Sequence, residues 1–309
     1  MSKEDLGLGS QSNLHSRNIN KDGSFNVKKI GAITGVKDLY QHLVTMPWTK
    51  FLFLVIATYF SLNIVFAIAY YLIGIESLEG LKEGSFITEF LGCFYFSTQT
   101  FTTVGYGAVA PMGILTNLVA SLEAMVGLLS FALATGLLFG RFSKPNAKFL
   151  FSDKILLSPY REDHSGLMFR VANKRDNVLL QTTAEVILTY FEKDVNGELK
   201  RGFQRLNLEI SEIRLFTTTW TIVHPVDKES PFYGFDEERF NNFRFEILIM
   251  IKSYDETFGQ DVYARTSYTN DDFVYQAKFH KPYRFNREGQ MEIVLEDVMA
   301  FDKTDSFKI

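Results

Sequence analysis

Two long apolar runs constrain this chain more than any other feature of its sequence. Residues 51–75 carry no charged side chain, and residues 114–140 carry only Glu123. Each run is long enough to cross the roughly 30 Å hydrocarbon core of a bilayer as a helix. The sequence after Lys144 is mixed and polar. We therefore expect a membrane protein that also has a large part outside the bilayer.

Composition argues against several other classes of protein. The first apolar run starts about fifty residues into the chain and is longer than the roughly 7–15-residue core of a cleaved signal peptide. A single cysteine, Cys93, cannot form a disulfide within the chain, so nothing indicates an oxidising compartment. The net charge of -4 gives no reason to expect nucleic acid as a partner.

The charges that flank the two runs predict their orientation. Basic side chains precede the first run at Lys37 and Lys50 and follow the second at Arg141, Lys144 and Lys148, whereas the loop between the runs is mainly acidic. Positively charged flanks of membrane spans stay in the cytoplasm. Both termini are therefore predicted to be cytoplasmic, and the loop between the spans is predicted to face outward.

The chain divides into three regions. Residues 1–35 are polar and predict a flexible tail. Residues 36–148 contain an amphipathic stretch that ends at Pro47 and predicts an interfacial helix, followed by the two spans. Between the spans, the apolar residues 86–102 are too short to cross the bilayer and predict a re-entrant helix.

Residues 149–309 change to short runs rich in Val, Ile, Tyr, Phe and Thr, separated by turn residues such as Asn196-Gly197. This pattern predicts a cytoplasmic β-sandwich, so the fold class is an α+β membrane protein. No catalytic motif occurs in this region, and no enzyme activity is expected. The clearest strand-like runs are residues 184–191, 245–251, 262–268 and 291–295.

A five-residue motif, Thr103, Val104, Gly105, Tyr106 and Gly107, separates the predicted re-entrant helix from the second span. A potassium ion gives up its water shell only where a ring of oxygens replaces it, and this motif is the standard example of such a filter. The first four carbonyls and the Thr103 hydroxyl are the predicted K⁺ ligands, with glycines that permit the required backbone angles. One chain supplies a quarter of the ring, so a homotetramer is expected. An accidental glycine turn is the alternative, and the two flanking spans disfavour it.

Four further segments resemble prokaryotic inward-rectifier potassium channels. They are residues 131–145 (FALATGLLFGRFSKP), 224–234 (HPVDKESPFYG), 253–257 (SYDET) and 264–268 (ARTSY). The resemblance covers nearly the whole chain from about residue 37 to residue 298. It implies a multi-pass protein of the bacterial inner membrane, K⁺ as the permeant ligand with no other cofactor, an immunoglobulin-like cytoplasmic domain whose four copies extend the pore, and a gate where the inner helices cross.

Three positions refine this resemblance, and two of them, Gln99 and Phe131, are departures from the family. The cysteine pair that brackets the filter in animal members is absent, which favours the prokaryotic branch. Gln99 replaces a glutamate that is common in the helix before the filter, which puts the usual hydrogen bonding there in doubt. Phe131 stands where strong rectifiers have an acidic residue, which predicts weak rectification.

The position of the gate follows from spacing and from the resemblance. Phe131 and Phe139 are eight residues apart and share roughly one face of a helix, so both are predicted to line the pore. Four copies of Phe139 near the cytoplasmic end are predicted to form a hydrophobic gate. Lipid-facing or core aromatics are the alternative for both residues. The candidate cytoplasmic pore loop, a second possible barrier, contains Thr257, Phe258, Gly259 and Gln260.

Two further interpretations concern charged residues. Lys50, Arg141, Lys144 and Lys148 cluster at the predicted inner leaflet, where phosphoinositide or another anionic lipid is a candidate partner and topology alone is the alternative explanation. Glu123 lies within the second span. Its carboxyl is either a hydrogen-bonded partner of the re-entrant helix or an ion site in the cavity.

Two other functions compete with a channel gated by its cytoplasmic domain. A channel controlled by a nucleotide-binding domain usually carries a Gly-x-Gly-x-x-Gly turn after a strand, and the nearest match, Gly7-Leu8-Gly9, has Ser12 at the third position. A membrane-anchored binding domain without a pore would tolerate replacement of the filter residues.

Overall fold

The computed structural model describes residues 17–28, 30, 36–144, 148–161, 164–193 and 199–304. They separate into two compact units. We call residues 36–144 the helical unit, and residues 17–30 together with residues 148–304 the β unit. The predicted turn at Asn196-Gly197 lies outside the described residues.

Four α-helices and a two-stranded antiparallel sheet form the helical unit: α1 (Val36–Thr45), α2 (Trp48–Ile73), β1 (Leu78–Glu79), α3 (Phe86–Phe101), β2 (Ala110–Pro111) and α4 (Gly113–Phe142). Pro47 separates α1 from α2 because its extended backbone precedes the first helical residue. Helices α2 and α4 are long and apolar enough to cross a membrane, and α3 is a shorter helix between them. Helices are present at the positions predicted for the interfacial helix, the two spans and the re-entrant helix.

Close packing around α3 holds the helical unit together. Cys93 and Phe96 of α3 are buried against Ala67 and Tyr70 of α2, so Cys93 acts as a small packing residue. A Cβ atom at Gly127 of α4 would lie 2.1 Å from the carbonyl oxygen of Phe101. Glycine therefore permits the close approach of α4 to the end of α3.

The β unit contains fourteen strands and one short α-helix among its described residues. In chain order they are β3 (Phe149–Phe151), β4 (Ile155–Tyr160), β5 (His164–Asn173), β6 (Leu179–Lys193), β7 (Leu199–Arg205), β8 (Glu212–Phe216), β9 (Thr219–Val226), α5 (Glu237–Asn242), β10 (Phe245–Asp255), β11 (Gln260–Thr269), β12 (Phe273–Tyr275), β13 (Ala277–Phe279), β14 (Tyr283–Phe285), β15 (Met291–Ile293) and β16 (Phe301–Lys303).

Two five-stranded sheets form a sandwich. One has the order β11-β10-β6-β7 with β8 beside β6, and the other has the order β12-β4-β5-β3 with β9 beside β5. Val186 of β6 lies opposite Ile249 of β10, and Val171 of β5 lies opposite Trp220 of β9. All four side chains belong to one buried core, so the predicted β-sandwich is confirmed. Among the described strands, only β4 and β12 pair in parallel, and the other pairs are antiparallel. This mainly antiparallel arrangement differs from the parallel sheet of a nucleotide-binding domain.

Part of the predicted flexible tail is packed against strands β6 and β10. Ile19 is buried with Ile187 and Leu248, and the Glu246 carboxylate accepts hydrogen bonds from the backbone N–H groups of Asn18 and Ile19, the first at 2.9 Å. Composition did not reveal this contact because only one apolar side chain of the segment is buried. Residues 17–28 therefore differ from the expectation of a tail without fixed structure. The rest of the predicted tail lies outside the described residues, except for Ile30.

Candidate ion-conduction site

The backbone of the five-residue motif has an alternating conformation. Thr103, Gly105 and Gly107 have φ angles of 58°, 52° and 78°, whereas Val104 and Tyr106 are not among the residues with positive φ. A left-handed conformation costs about 1–2 kcal/mol for a residue with a Cβ atom and little for glycine. The motif therefore keeps a backbone that its surroundings must hold in place.

Gln99 of α3 holds this backbone from behind. Its main-chain carbonyl accepts hydrogen bonds from the N–H groups of Val104 at 2.9 Å and Gly105 at 3.3 Å. Its side-chain Oε1 accepts the N–H of Tyr106 at 3.1 Å. The doubt raised by glutamine at this position is resolved, because the amide oxygen accepts the hydrogen bond that a carboxylate would accept.

A second set of polar contacts ties α3 to both long helices. Glu123 of α4 is fully buried and accepts a hydrogen bond from the Tyr70 hydroxyl at 2.5 Å, and it also contacts the Ser97 hydroxyl. Of the two interpretations of Glu123, the hydrogen-bonded partner is confirmed. Sequence reasoning missed Asn63, Tyr70 and Ser97, although Asn63 and Glu123 are polar residues within apolar runs and so gave a signal.

Comparisons with known proteins identify the family. The family model described as inward rectifier potassium channel C-terminal domain matches residues 149–309, and the model described as ion channel matches residues 43–144. The inward rectifier potassium channel Kirbac3.1 of Paramagnetospirillum magnetotacticum is 35% identical over 265 residues, which cover 85% of this chain and 88% of that protein. The chain belongs to the inward rectifier potassium channel family.

Eukaryotic members of the inward rectifier family are more distant relatives. The G protein-activated inward rectifier potassium channel 1 of Bos taurus is 27% identical, and the match covers 88% of this chain but 60% of that protein. The G protein-activated inward rectifier potassium channel 3 of Mus musculus is also 27% identical, with 85% and 72% covered. The chain is thus a membrane ion channel with K⁺ as the permeant ion, and it is not an enzyme.

The candidate gate residues of this inward rectifier project from α4. Phe131 and Phe139 are 72% and 73% exposed in the single chain. Their separation along a helix is about 12 Å. Neither side chain is needed to fill the core of its own helical unit, so both are available to a pore or to a neighbouring chain.

Arg141 differs from the other three lipid candidates. Its guanidinium donates hydrogen bonds to the carbonyl oxygens of Leu43 and Met46, the latter at 2.7 Å, and lies over the ring of Trp48 at 4.6 Å. The last carbonyls of a helix lack partners within it, and here the Arg141 side chain supplies them for α1. Arg141 is only 9% exposed, so the structure does not support it as a lipid ligand. Lys50, Lys144 and Lys148 are exposed.

The candidate cytoplasmic pore loop is the turn between β10 and β11. Asp255 organises it, since its backbone carbonyl accepts the N–H of Gly259 at 2.8 Å and its carboxylate accepts the N–H of Thr257 at 3.0 Å. Gly259 has a φ of 63°, which suits a residue without a Cβ atom. Phe258 is half-buried, and Thr257, Gly259 and Gln260 are exposed.

The family motif at residues 224–234 has a structural role in the β unit. His224 is buried, with Nδ1 2.6 Å from the Asn207 carbonyl and Nε2 2.8 Å from Ser230 Oγ. A carbonyl only accepts, so the proton of the neutral ring lies on Nδ1 and Nε2 accepts from Ser230. Ser230 in turn accepts the N–H of Phe232, which is fully buried.

Proposed function

We propose that four copies of this chain form a K⁺-selective pore whose filter is built by Thr103, Val104, Gly105, Tyr106 and Gly107. The observation that carries the proposal is the alternation of left-handed residues at 103, 105 and 107, held from behind by Gln99. Such a backbone can present successive carbonyls to one side, and four chains together replace the water shell of the ion. The carbonyls of residues 103 to 106 and the Thr103 hydroxyl are the proposed ligands.

The proposed location is the inner membrane of a bacterium, with both termini in the cytoplasm. The support is the basic flank of the two spans, at Lys50, Arg141 and Lys144, against the acidic loop between them. Labelling of a cysteine introduced at Glu83, compared with one introduced at Lys144, in intact cells tests this orientation. Only the cysteine at position 83 is expected to react with an impermeant reagent.

Flux measurements test the filter. Purified protein in liposomes is expected to pass K⁺ in preference to Na⁺, with block by barium. Gly105→Ala forces a Cβ atom into a left-handed residue at about 1–2 kcal/mol per chain, and four chains repeat that cost. We expect loss of selective K⁺ flux in a variant that still assembles. Gly136→Ala is the control, since a Cβ atom there has no neighbour within 4 Å. Normal selectivity of Gly105→Ala would overturn the assignment.

The proposed gate is Phe139. A ring of four aromatic side chains offers a hydrated ion no hydrogen bonds, so the cost of removing its water closes the passage. Truncation to alanine is expected to raise the resting K⁺ flux and to leave K⁺ over Na⁺ selectivity unchanged. Phe131→Ala is the matched control on the same helix. An unchanged resting flux in a Phe139→Ala tetramer would place the main barrier at the filter or at residues Thr257, Phe258, Gly259 and Gln260.

Weak rectification is proposed from the uncharged side chain of Phe131. A phenylalanine offers no carboxylate to hold a polyamine or Mg²⁺ in the cavity. Outward current with spermine on the cytoplasmic side should therefore be close to the current without it. Steep block that persists in Phe131→Ala would show that the cation binds at another place.

Anionic lipid, such as a phosphoinositide, is the proposed regulatory partner, with Lys50, Lys144 and Lys148 as the binding residues. Each exposed basic group near an anionic surface gains about 1 kcal/mol. Flux is compared in neutral and phosphoinositide-doped liposomes for the native protein, for Lys144→Gln and for Arg141→Gln. A reduced lipid response is expected for Lys144→Gln. An identical response of Lys144→Gln and native protein would remove this residue from the mechanism.

A further inference from the structure

A fully buried polar cluster lies behind α3. It consists of Asn63 and Tyr70 of α2, Ser97 of α3 and Glu123 of α4, each with 0% of its surface exposed. Ion pairs with Glu123 are absent from the part of the chain that the structure describes. The carboxyl group therefore has only hydroxyl groups as its described hydrogen-bond partners.

The contacts around Ser97 need more protons than its hydroxyl group supplies if the Glu123 carboxylate is ionised. Ser97 Oγ contacts Glu123 Oε1 and also lies 3.1 Å from both the carbonyl oxygen and Oδ1 of Asn63. The Asn63 amide cannot be reversed, because its Nδ2 donates to the carbonyl of Tyr59 at 2.8 Å. Ser97 thus faces three acceptors with a single hydroxyl proton. If that proton were used at Oε1, the Ser97 oxygen would meet both Asn63 oxygens without a hydrogen between them.

A proton on the carboxyl group supplies the contact with Ser97 and leaves the Ser97 hydroxyl proton for the two Asn63 oxygens, which share it at 3.1 Å each. Glu123 Oε1 then donates to Ser97 Oγ, Ser97 donates to Asn63, and the Tyr70 hydroxyl donates to Glu123 Oε2. The neutral form also avoids the large cost of an unpaired charge inside a membrane span. We infer that Glu123 is an uncharged hydrogen-bond donor that positions α3 behind the filter.

The inferred role acts on the filter through a short path. Ser97 lies two residues before Gln99, and Gln99 holds the backbone of Val104, Gly105 and Tyr106. Glu123 is therefore a positioning residue, and this part of the inference rests on the proposed function of residues 103–107. The charge state of the carboxyl group does not rest on it.

The substitution Glu123→Gln tests whether the carboxyl group of Glu123 is neutral or ionised. In Glu123→Gln the side-chain NH₂ can donate to Ser97 while the amide oxygen accepts from Tyr70, which reproduces both contacts of the protonated acid. We expect the ratio of K⁺ to Na⁺ flux to stay within about twofold of the native value and the dissociation temperature of the tetramer to be unchanged. The exposed control Glu83→Gln should give the same result. Glu123→Ala leaves buried groups without partners and is expected to lower selectivity about tenfold. Equal damage from glutamine and alanine would overturn the inference.

Infrared difference spectroscopy tests the proton directly. The native protein minus Glu123→Gln should show a band of a protonated carboxyl group, and loss of carboxylate bands instead would overturn the inference. If Glu123→Gln does not assemble, Ser97→Ala keeps Glu123 and should shift the protonated-carboxyl band. An unshifted spectrum there would contradict the proposed hydrogen bond. The carboxyl band does not depend on ion flux. A wrong charge state for Glu123 would therefore appear in the spectrum, whereas a wrong filter assignment would appear as normal selectivity in Gly105→Ala.

Discussion

The helical unit and the β unit place their apolar side chains in opposite ways. In the helical unit, only 17% of the most apolar 18-residue stretch of α2 and 11% of that of α4 are buried. Side chains such as Leu72 and Ile114 are exposed in the single chain. In the β unit, Leu188, Ile222 and Ile247 are completely buried between the sheets. Lipid and neighbouring chains must cover the first set, whereas the second set is covered within the chain.

This difference changes what polar side chains do in each unit. Apolar contact with lipid cannot fix how helices are oriented, because lipid tails are as apolar as leucine. In the helical unit, Gln99, Glu123 and Arg141 therefore fix the proposed filter, α3 and α1 through hydrogen bonds. In the β unit the packed core fixes the sheets, and polar contacts such as those of His224 secure loops. Substitutions should separate these two sources of order.

The largest expected loss of stability is in the β unit. The Phe232 side chain is fully buried and packs against the rings of Phe240 and Phe245, with centroids 5.3 and 5.6 Å away. Phe232→Ala should destabilise this unit by about 3–5 kcal/mol, since it removes buried area and leaves a cavity. Urea unfolding of the full-length protein in detergent measures the loss.

The exposed Phe285 provides the matched control on the same unit. Phe285→Ala is expected to change stability by less than about 0.5 kcal/mol. Neither variant should alter K⁺ over Na⁺ selectivity in protein that remains folded. A change of selectivity in Phe232→Ala would contradict the view that selectivity depends on the helical unit and not on the core of the β unit.

A smaller loss is expected from one methyl group in the helical unit. Gly127→Ala places a Cβ atom 2.1 Å from the Phe101 carbonyl oxygen, and backbone cannot move aside cheaply. Overpacking of this kind costs about 1–3 kcal/mol, here at the end of α3 next to the proposed filter. We expect lower thermal stability of the tetramer, measured by the temperature at which it dissociates in detergent.

Gly136 of the same helix provides the matched control for Gly127→Ala. A Cβ atom there meets nothing within 4 Å, and alanine is about 1 kcal/mol better than glycine inside a helix. Gly136→Ala should therefore leave the dissociation temperature unchanged or raise it. If both alanine variants behaved alike, the close contact of α4 with α3 would not be what stabilises the helical unit.

The fold of the helical unit was the more predictable from sequence. A continuous apolar run of this length crosses a bilayer as a helix, so residues 51–73 of the first run lie in α2, which ends before Gly74 and Ile75, and residues 114–140 lie within α4. In the β unit, runs such as residues 245–251 gave β10, but β5 and β9 were missed. Those strands contain Arg170 and His224, whose polar side chains interrupt the apolar pattern, so only the completed core reveals them.

The candidate site was predictable in its residues but not in its supports. The motif of residues 103–107 is read directly from the chain, and the structure adds the backbone angles. The hydrogen-bond partners of Arg141 could not be predicted, because they are backbone carbonyl groups and carry no side-chain signal. The same holds for Gln99, whose role depends on a turn that returns Tyr106 to the side of α3.

The smallest expected effect is a pH dependence of the β unit. Burial lowers the pKa of His224 below its ordinary value of about 6.5, and the neutral ring is held between Asn207 and Ser230. The unfolded chain therefore binds a proton at a higher pH than the folded chain. Stability is fully present above about pH 6.5 and falls as the pH drops below that value, until the folded His224 also titrates.

Urea unfolding of the full-length protein at about pH 7.5 and about pH 5.5 measures this contribution. Many groups titrate in this range, so the comparison needs His224→Gln and, as a control, His164→Gln at an exposed position. The acid-induced loss should shrink in His224→Gln, which cannot gain a charge, and should persist in His164→Gln. In the neutral ring, His224 Nε2 accepts the hydrogen bond from the Ser230 hydroxyl, and Ser230 Oγ accepts the N–H of Phe232. A protonated ring would bring an N–H group against the Ser230 hydroxyl hydrogen and so weaken the loop that contains Ser230 and Phe232. An acid response identical in all three proteins would mean that the core alone, and not His224, secures the loop of the β unit.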